Sequence, residues 1–380
     1  MKKVILVIES SREYGRGLLR GIARYSNMKG PWTFYNEPGD QYRAIPNLKN
    51  FKADGIIARL SQKTSLKKLE STGLSVIAIG LRKPIPGLAN IEPDSEKIGK
   101  MAAEYFLRKN FTNFAYCGIE DMKGSQDRKI AFKKTIEASG YKTNVYEIPL
   151  AKLSNSWDQQ QHKMADWLKS LHKPAAIMAY NDDQGRRIIT ACSTVDIKIP
   201  YEVAILGVDN DSLVCDLTTP PLSSINLNIE KAGFEAAKLL DDMISKKTIK
   251  NNKIIVNPTH IVTRQSTDIL AVSHKQVANA IKFIRENAKK DLQVDDVVDA
   301  TLLSKRGLQR AFKVCMGHSI HNEITQARLE QLTALITETD LPLSEIAKLL
   351  DFRSINRISR FFKNNKGINI RDFRKKYGKI

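Results

Sequence analysis

Two short amphipathic patterns lie in LSEIAKLLDFRSINRISRFFKNNKG, residues 343–367, on either side of a break at Asp351. Apolar residues recur at helical spacing in both, namely Leu343, Ile346, Ala347 and Leu350 in the first and Ile358, Phe361 and Phe362 in the second. Ser354 precedes the second pattern, where a residue that caps a helix N-terminus is favoured. The stretch therefore predicts two helices joined by a turn, the second with a basic face.

The same layout occurs upstream in VDDVVDATLLSKRGLQRAFKVCMG, residues 294–317. Ser304 takes the cap position there, and Leu308 and Phe312 form the apolar face of the second pattern. A further helical pattern, SIHNEITQARLEQLTALITETD, joins the two copies. One copy alone fits an ordinary helical hairpin. Two copies indicate tandem helix-turn-helix units more specifically.

The chain of 380 residues carries a formal net charge of +20 at pH 7. Its length indicates two or three domains, and 42% hydrophobic residues suffice for packed cores. Such a basic excess predicts a polyanionic partner, nucleic acid first. An anionic membrane surface is the alternative, but the sequence shows no long basic amphipathic helix and no lipidation signal.

The cysteines and the N-terminus bear on location. The four cysteines, Cys117, Cys192, Cys215 and Cys315, have no paired spacing, which is typical of free thiols in a reducing compartment rather than of a zinc site. The apolar run at residues 4–8 is too short for a signal peptide, and no stretch approaches a transmembrane helix. We expect a cytoplasmic protein without cofactor or metal.

The first two-thirds of the chain alternate between strand and helix patterns. The clearest strands are VILVIES, DGIIARL, SVIAIG, NFAYCGI, AAIMAYND and VAILGVDND. Alternation of this kind predicts parallel sheets. The segment is too long for one small sheet, so we expect two doubly wound lobes with a cleft at the carboxyl ends of the strands. The predicted fold is a two-lobed α/β sensor at residues 1–265, a linker at 266–275, and an all-α domain with two helix-turn-helix units at 276–380.

The C-terminal segment resembles the DNA-binding domain of the AraC family of transcription regulators, in which a long helix joins two helix-turn-helix units. ARLEQLTALI matches the linking helix, LPLSEIAKLLDF the second unit, and FFKNNKG followed by FRKKY the closing signature. The family usually has Gly in the two turns, where this chain has Leu302 and Asp351. Asp tolerates left-handed backbone and Leu does so poorly, so we expect another geometry in the first turn.

The AraC resemblance implies that one helix of each unit enters the major groove of double-stranded DNA with its N-terminal residues at base edges. The candidate DNA-binding residues are Lys305, Arg306, Gln309 and Arg310 in the first unit and Arg353, Asn356, Arg357 and Arg360 in the second. Arg can bridge guanine, and Asn or Gln can bridge adenine. The alternative for each residue is a solvated surface.

Residues 3–265 resemble the sugar-sensing core of the LacI family, which is similar to periplasmic sugar-binding proteins. The motifs are YNDDQGRRII at residues 180–189, VAILGVDND and TTPPLSSINLN. Matched residue by residue, the resemblance implies ligand-binding roles for Asn181 and Asp209 in these motifs, for Asp94 in IEPDSEKIGKMAAEYFL and for Arg128 in SQDRKIAF. Trp157 lies where the family places an aromatic residue over the ligand. The loop ESSREYGRG after the first strand adds Ser10, Ser11, Arg12 and Tyr14 as further candidates.

These residue types suit a sugar. Carboxylates, amides and a guanidinium pair with hydroxyls that both donate and accept, and an indole covers an apolar C–H face. Structural roles are the alternatives: Asp182 or Asp183 as a helix N-cap, and Trp157 as core packing.

The order of the two parts is informative, because LacI relatives begin with their DNA-binding unit and this chain begins with the sensor. That order, with the blocks SREYGRGLLRGIARY and WDQQQHKMADWLKSL, resembles the xylose-responsive transcription activators of enteric bacteria. The resemblance implies D-xylose or a related pentose as effector. It also implies an activator that forms a homodimer through its sensor, with RNA polymerase as a further partner.

Three other functions compete. A sugar-handling α/β enzyme is one, although the sequence has no P-loop, no Gly-x-Gly-x-x-Gly after the first strand and no Gly-x-Ser-x-Gly elbow. A transport-type binding protein is the second, and the basic helical tail speaks against it. The third is a DNA-binding regulator that responds to another ligand or to none, since a binding aspartate can persist as a cap.

Overall fold

The computed structural model describes residues 1–38, 52–59, 73–81, 85–149, 157–249, 251–268 and 274–378. Two α/β lobes are followed by a helical domain, and each lobe is built on its own six-stranded sheet. The two-lobed sensor and the all-α domain of the sequence-based prediction are both confirmed.

The first lobe contains a sheet of parallel strands in the order β11-β5-β4-β3-β1-β2. The strands are β1 (Lys3–Ile8), β2 (Thr33–Pro38), β3 (Gly55–Arg59), β4 (Ser75–Ile79), β5 (Ala89–Pro93) and β11 (Lys253–Val256). Helices α1 (Glu13–Lys29) and α7 (Ile229–Ile244) pack together beside it. They approach so closely that a Cβ at Gly21 would lie 1.9 Å from the carbonyl oxygen of Glu230, so the position requires glycine.

The second lobe has the strand order β12-β10-β9-β8-β6-β7, in which only the β10–β12 pair is antiparallel. Its strands are β6 (Asn113–Ile119), β7 (Thr143–Ile148), β8 (Ala175–Ala179), β9 (Val203–Val208), β10 (Ser223–Leu227) and β12 (Pro258–Val262). Its helices are α2 (Ser95–Arg108), α3 (Lys123–Ala138), α4 (Trp157–Ser170), α5 (Asp182–Thr194) and α6 (Ser212–Asp216). β8 and β9 are buried throughout, as their continuous apolar composition requires.

A hinge of three crossings connects the lobes in the described chain, at residues 93–95, 227–229 and 256–258. The backbone N–H of Asn228 donates to the carbonyl of Asn257 at 3.0 Å, and the N–H of Asn257 donates to Oδ1 of Asn228 at 2.7 Å. The N–H of Asp94 donates to the carbonyl of Val256 at 2.9 Å. The crossings therefore hydrogen-bond to each other.

The C-terminal domain consists of seven helices in the described residues 274–378. They are α8 (Lys275–Glu286), α9 (Val294–Asp299), α10 (Lys305–Met316), α11 (Ile320–Glu338), α12 (Leu343–Leu349), α13 (Ile355–Lys366) and α14 (Ile370–Tyr377). One apolar cluster surrounds Leu308 and Phe312, and a second surrounds Ile358 and Phe362. The two helix-turn-helix units each have a core, and α11 contributes to both.

The two turns differ as the sequence predicted. Asp351 has φ +52°, in the left-handed region, whereas Leu302 does not have positive φ and is 89% exposed. The predicted caps are confirmed as well. Ser304 accepts from the N–H of Gly307 at 3.2 Å, and Ser354 accepts from that of Arg357 at 3.3 Å.

All four thiols are free, as predicted. Cys117, Cys192 and Cys215 are buried, and burial raises the pKa of the first two to about 12. Cys315 is partly exposed. Among the described residues, no helix is long and apolar enough to cross a membrane, and no group of three His, Cys, Asp or Glu side chains could hold a metal ion.

The sensor packing extends through a 3₁₀ turn at Gln265–Thr267. The hydroxyl of Ser266 donates to the carbonyl of Ile205 on β9 at 2.6 Å, so this turn belongs to the second lobe. The sequence-based end of the sensor, residue 265, falls at the start of the turn.

Candidate functional site

The cleft between the lobes is bridged by two ion pairs that start in the loop and first turn after β1. Nε of Arg12 lies 2.7 Å from Oδ2 of Asp183, and Nη2 of Arg16 lies 2.6 Å from Oδ1 of Asp211. Oδ2 of Asp211 also accepts from the N–H of Glu13 at 2.9 Å, at the positive end of α1. The residues that follow β1, β8 and β9 thus meet across the cleft.

Asp209 follows β9 and has an acceptor without a partner. Its Oδ1 is shielded from solvent and has no hydrogen-bond partner among the described residues. Desolvation raises the pKa of Asp209 to about 6, although Arg128 and Arg12 act in the opposite direction. Its φ of +104° is a strained conformation for a non-glycine residue. A carboxylate held in this way is ready to accept a hydrogen bond from a ligand.

Arg128 supplies the complementary donor. It is buried on α3, and its guanidinium lies 4.9 Å from the ring centroid of Tyr180, whose carbonyl accepts from Nη1. Nε of Arg128 is buried and has no partner in the described part of the chain. An unpartnered donor and an unpartnered acceptor in one cleft suit a small ligand with several hydroxyls.

Tyr14 and Arg59 bring the first lobe to the same cluster. The Arg59 guanidinium lies 5.9 Å from the Tyr14 ring centroid, and desolvation raises the pKa of the Tyr14 phenol, with the Asp209 charge acting in the same direction. Tyr14 was among the predicted ligand residues, whereas Arg59 was not. Its signal was available, because Arg59 is the last residue of β3, and strand ends of this sheet face the cleft.

The motif YNDDQGRRII divides its polar residues between two roles. Oδ1 of Asn181 accepts from the N–H of Gln184 at 3.0 Å, so Asn181 is the N-cap of α5, rather than Asp182 or Asp183. Asp182 is buried and accepts from the hydroxyl of Ser224 at 2.6 Å and the N–H of Asp211 at 2.7 Å. Desolvation raises its pKa well above the usual value. Asp182 therefore holds α5 against β10.

The remaining predicted ligand residues lie around this cluster or away from it. Asp94 is the N-cap of α2 and pairs with Lys97 at 2.6 Å, which places it in the hinge. Ser11 donates to Glu9 at 2.5 Å, and the carbonyls of Ser10 and Ser11 accept from Arg16. Trp157 begins α4, and its side chain lies outside the described residues. Ligand contact by these residues stays a prediction.

The predicted DNA-binding residues are all exposed on the helix-turn-helix units, namely Lys305, Arg306, Gln309 and Arg310 on α10 and Arg353, Asn356, Arg357 and Arg360 in the second turn and on α13. Lys305 forms an ion pair with Asp295 at 2.5 Å. The two sets form basic faces on α10 and α13, and contact of these residues with a major groove stays a prediction.

Comparison with known families agrees with this architecture. Residues 3–83 match the XylR N-terminal domain, residues 103–267 a periplasmic binding protein-like domain, and residues 297–376 a helix-turn-helix domain. The chain is a sugar-responsive DNA-binding transcription regulator, with a periplasmic-binding-protein-like sensor and a C-terminal helix-turn-helix domain.

The chain is similar over nearly its whole length to particular known regulators. The chain is 27% identical over 370 residues to the xylose operon regulatory protein of Escherichia coli (strain K12), covering 95% of this chain and 94% of that one. The Haemophilus influenzae protein of the same name is 27% identical over 380 residues, covering 98% of both chains. A solved structure of the xylose-binding transcription activator xylR is similar with a TM-score of 0.63 and 25% identity, covering 99% of this chain and 98% of that one.

Proposed function

We propose that this regulator binds D-xylose or a related pentose in the cleft between its lobes and that the sugar changes its affinity for DNA. It acts in the cytoplasm as a homodimer and an activator, with RNA polymerase as a further partner, and it catalyses no reaction. The relatives named for xylose support the choice of sugar.

One observation carries the proposal: Oδ1 of Asp209 and Nε of Arg128 lack partners in the described cleft. A buried polar atom without a partner costs on the order of 1–3 kcal/mol, which a ligand that pairs with it recovers on binding. A pentose offers hydroxyls that donate to the carboxylate and accept from the guanidinium.

Calorimetric titration with a panel of pentoses and hexoses tests the sugar. We expect one pentose to bind wild-type protein and to lose at least tenfold affinity in Asp209→Ala, as removal of a charged hydrogen-bonding group predicts. Asp127→Ala is the matched control, because Asp127 pairs with Lys123 on the surface of α3. Equal sugar affinity of Asp209→Ala and Asp127→Ala would show that Asp209 does not contact the sugar.

DNA binding is measured on the same samples at fixed salt, because salt dominates such affinities. Sequence-specific binding that changes with the bound sugar supports a ligand-responsive regulator. If the protein binds DNA but calorimetry shows no heat of binding for any sugar, a regulator that responds to another ligand or to none is favoured. Conversion of the sugar, followed by NMR, would favour an enzyme.

A further inference from the structure

The helical domain rests on both lobes of the sensor. On the second lobe, Nε2 of His260 on β12 lies 3.0 Å from Oε1 of Glu338, at the end of α11. Nδ2 of Asn110, just after α2, donates to the carbonyl of Cys315 at the end of α10. On the first lobe, Nζ of Lys231 in the first turn of α7 donates to the carbonyl of Lys375 in α14.

The contact with α14 uses the end of the helix. The last four carbonyls of an α-helix lack partners within the helix and carry partial negative charge. Lys231 donates to the carbonyl of Lys375, and Nδ2 of Asn228 lies 3.4 Å from the carbonyl of Lys376. A cation and an amide therefore bind the C-terminal end of α14.

Asn228 is at the same time a hinge residue. Its Oδ1 accepts from the N–H of Asn257 in the neighbouring crossing at 2.7 Å. Nζ of Lys97 reaches Oδ1 of Asn257 at 3.3 Å and Oδ2 of Asp94 at 2.6 Å. The Asn228 side chain thus binds the neighbouring crossing through its amide oxygen and the helical domain through its amide nitrogen.

Movement of α14 has a direct route to a DNA-binding helix. The rings of Phe373 on α14 and Phe362 on α13 pack edge to face with centroids 5.0 Å apart. Both are buried in the core of the second unit. Closely packed side chains transmit a shift of one helix to its neighbour, so α13 follows α14.

We propose that Asn228 and Lys231 form the link through which a change in the angle between the lobes reaches the second helix-turn-helix unit. The inference rests on the proposed function and deepens its regulation. When the lobes rotate about the hinge, Lys231 moves relative to His260 and Asn110. The helical domain cannot keep both sets of contacts unchanged, so the two lobe angles favour different positions of α14. That difference is what a ligand needs in order to change DNA affinity.

The test uses the double variant Asn228→Asp, Lys231→Met in the full-length chain. Asp keeps an oxygen for the N–H of Asn257 but directs a carboxylate at the carbonyl of Lys376, and Met keeps the stem of Lys231 without its charge. Lys238→Met is the matched control, because Lys238 is exposed two turns further along α7. DNA dissociation constants are measured with and without saturating D-xylose, and D-xylose dissociation constants without DNA.

In wild type and in the control we expect the sugar to change the DNA dissociation constant by about 5–150-fold, as in other coupled systems. In the double variant that ratio falls to within about twofold of one, and D-xylose binds with about the wild-type affinity. If D-xylose changes the DNA dissociation constant of the double variant as much as that of wild type, the inference is overturned and the proposed function stays intact. If D-xylose leaves the DNA dissociation constant of wild type unchanged, the proposed function and the inference are both overturned.

Amide hydrogen exchange gives a readout that does not depend on the variant folding. We expect saturating D-xylose to change the protection of residues 370–378 in wild-type protein, because the contacts at the end of α14 differ between lobe angles. Unchanged protection of this segment, in a sample where the sugar is bound, overturns the inference.

Discussion

Arg328 of α11 donates from Nη2 to the carbonyl of Leu350, 2.8 Å away at the end of α12. Its Nη1 donates to the carbonyl of Lys290, just before α9, and its guanidinium lies 4.4 Å from the ring centroid of Phe352. The residue is 5% exposed. One side chain of the linking helix therefore holds both helix-turn-helix units.

Replacement of this residue should destabilise the whole C-terminal domain. Arg328→Met fills the volume but leaves the carbonyls of Leu350 and Lys290 without their donor, so we expect a loss of about 2–4 kcal/mol in the free energy of unfolding. Urea unfolding followed by circular dichroism measures it. Arg310→Met, at an exposed position on α10, is the control. A loss below about 0.5 kcal/mol, the range of ordinary surface substitutions, would contradict the role of Arg328.

Asp209→Asn should stabilise the sugar-free protein at pH 7. Because desolvation raises the pKa of Asp209 to about 6, the native protein binds a proton that the unfolded chain releases between about pH 4 and pH 6. The free energy of unfolding therefore falls as the pH rises through that window. The neutral amide in the variant does not titrate, so the free energy of unfolding of Asp209→Asn does not fall in this way. We expect it to exceed the wild-type value by about 1–3 kcal/mol at pH 7 and by less at pH 4, measured by thermal unfolding. An unchanged difference across this range would rule out titration of Asp209 as the cause.

Sugar affinity should depend on the same proton. The ionised carboxylate accepts stronger hydrogen bonds from hydroxyls than the protonated form does. We therefore expect the dissociation constant for D-xylose to be constant above about pH 7 and to rise by up to about tenfold per pH unit below pH 6. Calorimetry across pH 5–8 measures the profile. Affinity that improves on acidification would show that the protonated carboxyl is the binding form.

The two turns provide a matched pair of substitutions. Asp351→Val places a β-branched side chain at φ +52°, which should cost about 1–3 kcal/mol in the free energy of unfolding. Leu302→Val occupies the equivalent turn without positive φ, and its exposed position should make it nearly neutral. Asp351→Asn should also be nearly neutral, because Asn tolerates left-handed backbone and keeps an acceptor for the N–H of Asp291. Equal losses in the two Val variants would show that backbone strain at Asp351 is not the cause.

Substitutions of residues at base edges and of residues at phosphates should differ in how they change the affinity for operator DNA and for random DNA. We expect Arg306→Ala and Arg360→Ala to weaken binding to a selected operator by about 1–3 kcal/mol while barely affecting random DNA. Lys363→Ala, further along α13, should weaken binding to both and lower the salt slope by about one. Equal losses on operator and random DNA for the Arg variants would assign them to the phosphate backbone.

Local patterns in the sequence predicted local structure well. Apolar runs marked β1, β8 and β9, the serine caps marked the starts of α10 and α13, and the missing glycine at Leu302 indicated the altered turn. Asp209 and Arg128 were predicted to be ligand residues through the family resemblance, and the structure brings them to one cleft.

Contacts between distant segments could not be predicted in this way. Nothing in the residues around Asn228 indicates that its amide reaches Lys376, which is 148 positions away. The cap of α5 was assigned to Asp182 or Asp183 for a related reason. Asn181, Asp182 and Asp183 are consecutive polar residues after a strand, and only tertiary packing decides that Asn181 caps α5 while Asp182 accepts from Ser224.

The distribution of the thiols has a practical consequence. Three of the four thiols are buried, those of Cys117, Cys192 and Cys215, and burial disfavours the thiolate, which is the reactive form. Cys315 is partly exposed. Its backbone carbonyl accepts a hydrogen bond from Asn110 of the sensor. A maleimide fluorophore should therefore label the natural chain at a single position, beside the junction of the two domains. Its emission could report in real time how the junction responds to each sugar, without an engineered cysteine.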